Sequence, residues 1–482
     1  MNEAEIHHTE NVQQHLKQVE LLLHRHALLE TVVHRQEMPR EERHALVDTL
    51  LHKQHLAALQ RKLDGLHPAD IAYILEALPI EQRLQVWELV KSDRDGEILI
   101  EVSDAVRESL IATMSREELR EAAEQLDTDE IADLAPDLPQ NVMRDVFKAL
   151  SIEDREQLRA AMSYEEGSVG ALMDFNMVQV REDVTLEVVS RYLRRFDQLP
   201  DHTDQVFVVD RDDRLLGVLP INLIVVNEPE ELVGSLMLTD TVKLHPEEKA
   251  SQAAQSFERY DLVSAPVVDE QGTLVGRVTV DVVLDFIRTE AESDLLNQAG
   301  LIEEEDIFAS VWKSAKNRWA WLALNLCTAF FASRVIGSFE GTIEKYVALA
   351  TLMPIVAGIA GNSANQTTTI VIRSLALGQI TPVNARQLLL KELAIGTLNG
   401  LVWGGIAGFF AYSLYHSVAL GIVMMSAILL NLLVGAFIGM AIPLGMHRYG
   451  RDPAIGSSVL LTAITDSGGF FIFLGLATLF LI

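Results

Sequence analysis

Cysteine is nearly absent from the sequence, since Cys327 is the only one among 482 residues. An intrachain disulfide framework is therefore excluded, and Cys327, which lies in an apolar run, is interpreted as a small packing residue. Residues 1–20 lack an apolar stretch, so no secretory signal peptide is predicted. P-loop, nucleophile-elbow and zinc-site spacings are also missing, and the sequence therefore does not predict an enzyme.

Acidic residues are scarce in the last third of the chain. Residues 311–482 contain five acidic and ten basic residues, whereas the first 310 residues contain 64 acidic and 29 basic residues. The mean hydropathy of +0.17 is therefore an average over two unlike parts of the chain. One is acidic, with a net charge of −35, and the other is apolar, with a net charge of +5. An acidic body repels nucleic acid and attracts cations. We predict a soluble part of at least two domains, because 310 residues exceed the usual domain size, followed by a membrane part.

The apolar part contains five runs that are long enough to cross a lipid bilayer, which requires roughly 20 apolar residues. They cover about 319–338, 346–375, 388–415, 418–446 and 454–482. Lysine and arginine are concentrated before the first run, between the second and third, and between the fourth and fifth. Because cytoplasmic loops carry the excess of these residues, the soluble part is predicted to be cytoplasmic and the C-terminus to lie outside.

The acidic part contains a helical repeat. Residues 15–163 have apolar positions at helical spacing, and the segment Leu66–Pro79 has a counterpart at Leu126–Pro139. A repeated helical unit predicts a small superhelical stack. The His-rich residues 1–60 lack a tight metal-ligand spacing and are predicted to form a polar helical extension.

A second duplication begins at Val169 and again at Val233, and each copy combines a short strand, a helix and a hairpin. The hairpins are predicted at Val206–Asp210 with Leu216–Leu219 and at Ala265–Asp269 with Val275–Thr279. The tandem resembles a pair of cystathionine-β-synthase (CBS) domains over about 170–288. By that resemblance, copies that bind adenine nucleotides carry an Asp three residues after a Thr or Ser. Val282 stands in that place after Thr279, so no nucleotide cofactor is predicted.

Two polar motifs interrupt the apolar runs. Asn362, Asn365 and Gln366 lie in the second run, and Asp466 is the one acid deep in the fifth. A carboxylate inside a membrane is costly unless it is paired or hydrated, and no Lys or Arg shares its run. A divalent cation is the expected counter-charge, and magnesium is usually held by one or two carboxylates and its own waters. Two chains on a two-fold axis would direct two copies of Asp466 toward one aqueous path.

The order of helical repeat, CBS pair, connecting helix and five apolar runs, together with both polar motifs, resembles the MgtE family of magnesium transporters from about residue 60 to the end. The resemblance implies a homodimeric channel in the plasma (inner) membrane, with Asp466 binding a largely hydrated Mg²⁺. The other pore positions that it implies are Asn362, Asn365, Gln366, Thr462 and Ser458. Relatives often carry Ala and Asn in place of Thr462 and Ser458, which leaves the choice among Mg²⁺, Co²⁺ and other divalent cations open.

The segment that begins at Glu290 resembles the plug helix of the family, which blocks the cytoplasmic mouth of the pore. The regulatory Mg²⁺ ligands that the resemblance implies are Asp261, Asp285, Glu290, Asp294, Asp127 and Asp129. Like charges about 4 Å apart repel by about 4 kcal/mol at an effective dielectric near 20, so bound Mg²⁺ would draw acidic surfaces together and favour a closed form. Val282 and Ser293 replace acids that are common in relatives, which predicts shallower sensing.

The predicted fold class is a multidomain membrane protein with an all-α superhelical N-terminal domain, an α/β CBS tandem, a connecting helix and a five-helix transmembrane domain. The predicted bounds are 1–60 for the extension, 61–165 for the helical domain, 166–232 and 233–289 for the CBS domains, 290–316 for the connecting helix and 317–482 for the transmembrane domain. Two other functions fit the same residues, namely Na⁺- or H⁺-coupled exchange of a divalent cation and a membrane-anchored Mg²⁺ sensor that does not conduct.

Overall fold

A computed structural model describes residues 12–24, 56–301, 305–376, 378–381, 384–451, 453 and 457–482. The chain divides into two compact units. The N-terminal unit is Met1–Glu290 with Glu305–Ala309, and the C-terminal unit is Ala291–Glu304 with Ser310–Ile482. Of the predicted extension, only residues 12–24 and 56–60 are among the described residues, and both stretches are helical.

The N-terminal unit begins with a stack of short helices. They are α1 (12–24), α2 (56–63), α3 (Pro68–Ala77), α4 (Ile80–Trp87), α5 (Asp95–Glu101), α6 (Asp104–Ile111), α7 (Arg116–Ala123), α8 (Thr128–Leu134), α9 (Gln140–Ala149) and α10 (Ile152–Ala161). Helices shorter than about 12 residues are marginal in water, so most of these depend on packing. One continuous core from Val19 to Leu158 supplies it.

The repeat seen in the sequence is a repeat of helix pairs. Pro79 stands between α3 and α4, and Pro139 occupies the equivalent place between α8 and α9. Local capping defines the helix starts, because the Ser115 hydroxyl accepts from the Glu118 amide while the Glu118 carboxylate accepts from the Ser115 amide. The pairs α3 with α5, α7 with α9 and α8 with α10 pack together, which produces the stacked arrangement that the repeat predicts.

The next segment contains two αβ repeats. The first comprises β1 (Gln179–Arg181), α11 (Leu186–Leu193), β2 (Gln205–Val209), β3 (Leu215–Pro220) and α12 (Ile221–Val226). The second comprises α13 (Val233–Leu236), α14 (Ala250–Tyr260), β4 (Ser264–Val268), β5 (Leu274–Thr279) and the start of α15 (Val280–Ala299). Strand β2 pairs parallel with β1 and antiparallel with β3, while β4 pairs antiparallel with β5. A parallel bridge between Leu244 and Val267 stands in the second repeat where β1 stands in the first.

The two hairpin turns are built alike. The Asp210 carboxylate accepts from the amides of Asp212 and Arg214, and the Asp269 carboxylate accepts from the amides of Gln271 and Thr273. An Asp that bonds to backbone amides two and four residues ahead stabilises a turn locally. The duplication therefore extends to the side chains that close each hairpin.

Helix α15 is continuous over 20 residues and passes from the N-terminal unit into the C-terminal unit, which begins at Ala291. It ends before Gly300, whose φ of +80° suits a helix terminus because glycine has no Cβ. One connecting helix was predicted over 290–316. This segment contains the second half of α15 and, further along the chain, the first residues of a new helix that starts at Val311.

Besides the end of α15, the described residues of the C-terminal unit form five long helices and one short one. They are α16 (Val311–Gly337), α17 (Glu340–Lys345), α18 (Ala348–Ala376), α19 (Ala385–Tyr415), α20 (Val418–Arg448) and α21 (Ser457–Leu481). Four of the described helices, α16, α19, α20 and α21, are long and apolar enough to cross a membrane. Helix α18 has 29 residues but is less apolar, because amides and threonines occupy much of 362–369. Five spans therefore remain a prediction.

Small residues bring these helices close together. On α20, Gly435 and Gly439 face Ala360 and Ala364 of α18, and a Cβ added to Gly439 would lie 2.8 Å from the Ala364 carbonyl oxygen. Gly400, Gly404 and Gly408 place α19 equally close to α20. Small side chains at four-residue spacing permit this backbone approach. Helix α20 is thereby packed between α18 and α19, and α18 also packs against α21.

Candidate functional site

Asp466 lies on α21, nine residues after the helix begins at Ser457, which is about 14 Å along the axis. Its side chain is half-buried. Within the described part of the chain, its carboxylate has no hydrogen-bond or ion-pair partner. An acid in this position requires a counter-charge or water.

Helices α18 and α21 meet beside this carboxylate. A Cβ added to Gly361 of α18 would lie 3.6 Å from the Thr465 hydroxyl oxygen of α21. The next residue on each helix is a predicted site residue, Asn362 on α18 and Asp466 on α21. Asn362, Asn365 and Gln366 are all exposed, in contrast to their buried neighbours Ala364 and Thr367. The structure thus places Asn362 and Asp466 at about one level on touching helices, and Asn365 and Gln366 follow Asn362 by about one turn.

Thr462 and Ser458 lie one and two turns before Asp466 on α21. Thr462 is exposed, and its hydroxyl donates to the Ser458 carbonyl oxygen at 2.8 Å. Ser458 is half-buried. The three side chains share one side of the helix because residues four apart fall on the same face.

Two buried polar residues of the C-terminal unit were missed by the sequence reasoning. Asn431 of α20 is fully buried, donates from its amide to the Val356 carbonyl oxygen at 3.1 Å and leaves its own Oδ1 without a partner in the described structure. Glu392 of α19 is also buried and accepts from the Thr367 hydroxyl at 2.9 Å. The available signal was a polar side chain inside an apolar run, as for Asn431, or an acid next to a base, as for Glu392 after Lys391, and a polar group in a membrane helix favours a function or an interhelical bond.

The predicted regulatory acids occupy several elements. Asp127 precedes α8, Asp129 lies in its first turn, and Asp261 follows α14 with a φ of +51°. Asp285, Glu290 and Asp294 lie on α15, where Asp285 pairs with Arg288 at 3.6 Å. Among the described residues, no three or more His, Cys, Asp or Glu side chains gather in one place. A shared site for these acids within one chain is therefore not present in the described structure.

Asp129 nevertheless has an acidic neighbour that the sequence did not indicate. Burial and, after it, the negative charge of Asp174 raise the pKa of Asp129 to about 7. Asp174 itself is buried against Arg277, with 2.7 Å between Oδ2 and Nη2. Burial raises the pKa of Asp174 although Arg277 opposes the shift. Acids of the helical stack and of the αβ repeats thus meet inside the N-terminal unit.

A second buried ion pair ties a distant segment to the helical stack. Arg83 is fully buried and donates to the carbonyl oxygens of Leu75 and Leu78 at 2.8 and 3.1 Å. Its guanidinium also bonds to both carboxylate oxygens of Asp306, at 2.6 and 3.1 Å. Asp306 belongs to the short segment between α15 and α16. The segment that precedes the first long apolar helix is therefore attached to the helical stack.

A helical stack, a tandem of αβ repeats and a group of long apolar helices define a membrane protein with attached CBS domains. Residues 66–167 match the MgtE intracellular N domain, residues 169–225 and 233–289 each match the CBS domain, and residues 353–476 match the MgtE divalent cation transporter model. These matches confirm the predicted order of helical N-terminal domain, CBS pair and C-terminal group of apolar helices, whereas the number of five spans stays a prediction.

Two named relatives match over nearly their whole length. The magnesium transporter MgtE of Thermus thermophilus is 31% identical over 434 residues, which cover 88% of this chain and 95% of the relative. The magnesium transporter MgtE of Bacillus subtilis is 26% identical over 419 residues, which cover 87% and 93%. A crystal structure of the cytosolic domain of the Mg²⁺ channel MgtE in complex with ATP is 32% identical, with a TM-score of 0.45, and covers 49% of this chain and 97% of that one. The chain belongs to the MgtE family.

Proposed function

We propose that the protein conducts Mg²⁺ across the plasma (inner) membrane as a homodimer, with Asp466 as the ion-binding carboxylate. The single observation that carries this proposal is the half-buried Asp466 carboxylate, the one charged group of α21, which lacks a partner among the described residues. A divalent cation with its waters neutralises such a group at low desolvation cost, since magnesium retains several waters when it binds. Relatives named as magnesium transporters support Mg²⁺ as the cargo.

The neighbouring polar groups suit a hydrated ion. Asn362, Asn365 and Gln366 offer amide oxygens on the helix that touches α21, and Thr462 and Ser458 continue the polar face toward the start of α21. Waters of the ion donate to such oxygens, so selectivity arises from the size and polarity of the path. The N-terminal unit is proposed to be cytoplasmic and the C-terminus to lie outside, because the basic residues lie in alternate connections.

The test is divalent-cation uptake by the purified full-length protein in liposomes, with Mg²⁺, Co²⁺, Mn²⁺ and Ca²⁺ compared. Asp466→Asn is expected to abolish uptake, because the neutral amide cannot offset the charge of the ion. Glu344→Gln is the matched control, since Glu344 is an exposed acid of the same unit, and it should transport normally. Uptake that persists in Asp466→Asn contradicts the proposal, and uptake that stops when a Na⁺ or proton gradient is removed indicates exchange instead.

We further propose that cytoplasmic Mg²⁺ closes the pathway by binding acidic surfaces that include Asp127, Asp129, Asp261, Asp285, Glu290 and Asp294. What supports this proposal is the net charge of −35 on residues 1–310 and the position of Asp129, where Asp174 adds a second carboxylate. Bound Mg²⁺ would offset the mutual repulsion of these groups. Limited proteolysis in detergent tests it, because millimolar Mg²⁺ should slow cleavage within residues 56–290, whereas an unchanged cleavage pattern argues against Mg²⁺ gating.

A further inference from the structure

Glu392 is a buried carboxylate that the proposed pathway does not use. Glu392 lies on α19, where this helix meets α18, and only 6% of its surface is exposed. Its Oε2 accepts from the Thr367 hydroxyl of α18 at 2.9 Å, and in the described structure it forms no ion pair. An apolar side chain would fill this place without the desolvation that a carboxylate suffers. The carboxylate is therefore explained by its directional bond to Thr367 and not by packing.

Thr367 is one of two adjacent anchors on α18. The hydroxyl of the next residue, Thr368, donates to the Gly439 carbonyl oxygen of α20 at 3.0 Å. Both threonines are buried, so α18 is bonded to a different neighbour through each of them. Hydroxyls of threonine more commonly bond within their own helix, as that of Thr369 does to the Asn365 carbonyl oxygen at 3.0 Å.

These anchors act with the glycine contacts to α20 in fixing the rotation of α18 about its own axis. Consecutive residues of an α-helix are about 100° apart, because there are 3.6 residues in a turn. Gln366 directly precedes Thr367, and Asn362 lies one turn before Gln366 on the exposed side. Because Glu392 keeps Thr367 directed at α19, it also keeps the amides of Asn362 and Gln366 directed away from α19.

We propose that Glu392 is a positioning residue for ion selectivity. Through Thr367 it sets the rotation of α18 and so aims the amides of Asn362, Asn365 and Gln366 at the pathway beside Asp466. This inference rests on the proposed conduction role of Asp466 and those amides. Glu392 itself does not contact the ion.

The flux test compares Mg²⁺ with Ca²⁺ in liposomes that contain equal amounts of folded protein. Glu392→Leu and Thr367→Val each remove one partner of the bond and should change the Mg²⁺-to-Ca²⁺ flux ratio several-fold, because the amides of α18 would no longer be directed at the waters of the ion. The double variant should change it no further, because both substitutions remove the same bond. Glu392→Gln and Thr367→Ser retain an acceptor and a donor and should keep the ratio within about twofold.

Thr397→Val is the matched control, because among the described residues the Thr397 hydroxyl bonds only within α19, to the Leu393 carbonyl oxygen at 2.8 Å. It should leave the flux ratio unchanged. A purely structural role of Glu392 would lower the yield and the melting temperature of Glu392→Leu but leave the flux ratio of the remaining folded protein as it is. An unchanged ratio in Glu392→Leu overturns the inference.

A labelling measurement separates this inference from the proposed function. In a Cys327→Ala background, the thiol of Gln366→Cys should react with a water-soluble maleimide, and adding Glu392→Leu should slow the reaction by about tenfold as α18 rotates. An unchanged labelling rate overturns the positioning role whatever the flux results are. If Asp466→Asn still transports while Glu392→Leu slows labelling, the conduction proposal fails and the anchoring of α18 by Glu392 stands.

Discussion

The buried ion pair of Arg83 with Asp306 is expected to make the N-terminal unit sensitive to the loss of either charge. Removing one partner of a buried ion pair leaves the other charge uncompensated, which typically costs about 3–5 kcal/mol. Arg83→Met should therefore lower the free energy of unfolding of the N-terminal unit by that amount. Adding Asp306→Leu should recover part of the loss, since an apolar pair leaves no charge buried. Denaturant unfolding of the full chain in detergent measures both.

Arg191→Met is the control for this prediction. Arg191 is exposed and pairs with Glu187 one turn earlier at 2.8 Å, an arrangement worth at most about 0.5 kcal/mol. Its unfolding curve should nearly coincide with that of the unsubstituted protein. If the Arg83→Met/Asp306→Leu double variant were as unstable as Arg83→Met, the loss would come from packing and not from the unpaired charge.

Asp129 makes the N-terminal unit sensitive to pH. Burial and Asp174 raise its pKa to about 7, above the ordinary aspartate value of 3.8, so the folded protein holds a proton that the unfolded chain releases. Stability therefore falls as the pH rises from about 4 to about 7. Asp129→Asn should flatten this fall, measured as the difference in melting temperature between pH 5 and pH 8 without Mg²⁺.

Part of the slope should remain in Asp129→Asn, because burial also raises the pKa of Asp95 to about 7. Glu153→Gln serves as the control, since Glu153 is an exposed acid in the first turn of α10 as Asp129 is in that of α8. A pH dependence in Asp129→Asn as steep as in the unsubstituted protein would show that Asp129 is ionised below neutral pH.

Single residues could be predicted from the sequence when their role depends on local spacing. Asp466, Thr462 and Ser458 share one side of α21 because they are four residues apart, and the lone acid was visible in an apolar run. Arg83 and Asp174 could not be predicted, since their burial depends on partners 223 and 103 residues away. Their neighbours in sequence give no sign of those contacts.

At the scale of helices and strands, periodicity and duplication were sufficient to indicate most elements. Both hairpins formed where the alternating residues predicted them, and the second, third and fourth apolar runs differ from α18, α19 and α20 by about three residues or fewer at each end. The first run was predicted from residue 319, whereas α16 begins at Val311. The earlier start includes Lys313, Lys316 and Arg318, which a hydropathy criterion excludes although the backbone continues as a helix.

Helix packing in the C-terminal unit depends on glycine at the contact between α18 and α20. A Cβ at Gly439 would approach the Ala364 carbonyl oxygen to 2.8 Å and the Thr367 Cβ to 3.2 Å, both too close for an ordinary contact. Gly439→Ala should force the helices apart and destabilise the unit by about 1–3 kcal/mol. Gly445→Ala on the same helix meets nothing within 4 Å and should have little effect. Equal melting temperatures for the two variants in detergent would contradict the close packing.

At the scale of the whole molecule, the charge distribution and the division into two units were evident from composition. The assembly of a regulatory site was not, because Asp261 and Asp285 lie on separate elements of one chain and no metal-sized cluster forms among the described residues. To predict a site between two copies of the chain, one would have to know how the copies meet. A single sequence provides no information on that contact, whereas it does report which residues are acidic.

Helix α15 is the element that can transmit the state of the N-terminal unit to the C-terminal unit, since it is continuous across Glu290 and Ala291. Glycine is about 1 kcal/mol less favourable than alanine inside a helix, so the double variant Glu292→Gly/Ser293→Gly should weaken this continuity. The control variant Glu292→Ala/Ser293→Ala removes the same two exposed side chains and keeps the helix. If Mg²⁺ closes the pathway through α15, the glycine variant should require several-fold more internal Mg²⁺ for half-inhibition of uptake in liposomes, and the alanine variant should not. Because both variants retain Asp466, uptake at low internal Mg²⁺ should be the same in both. An equal shift in the two variants would mean that the side chains of Glu292 and Ser293, and not the stiffness of the helix, transmit the signal.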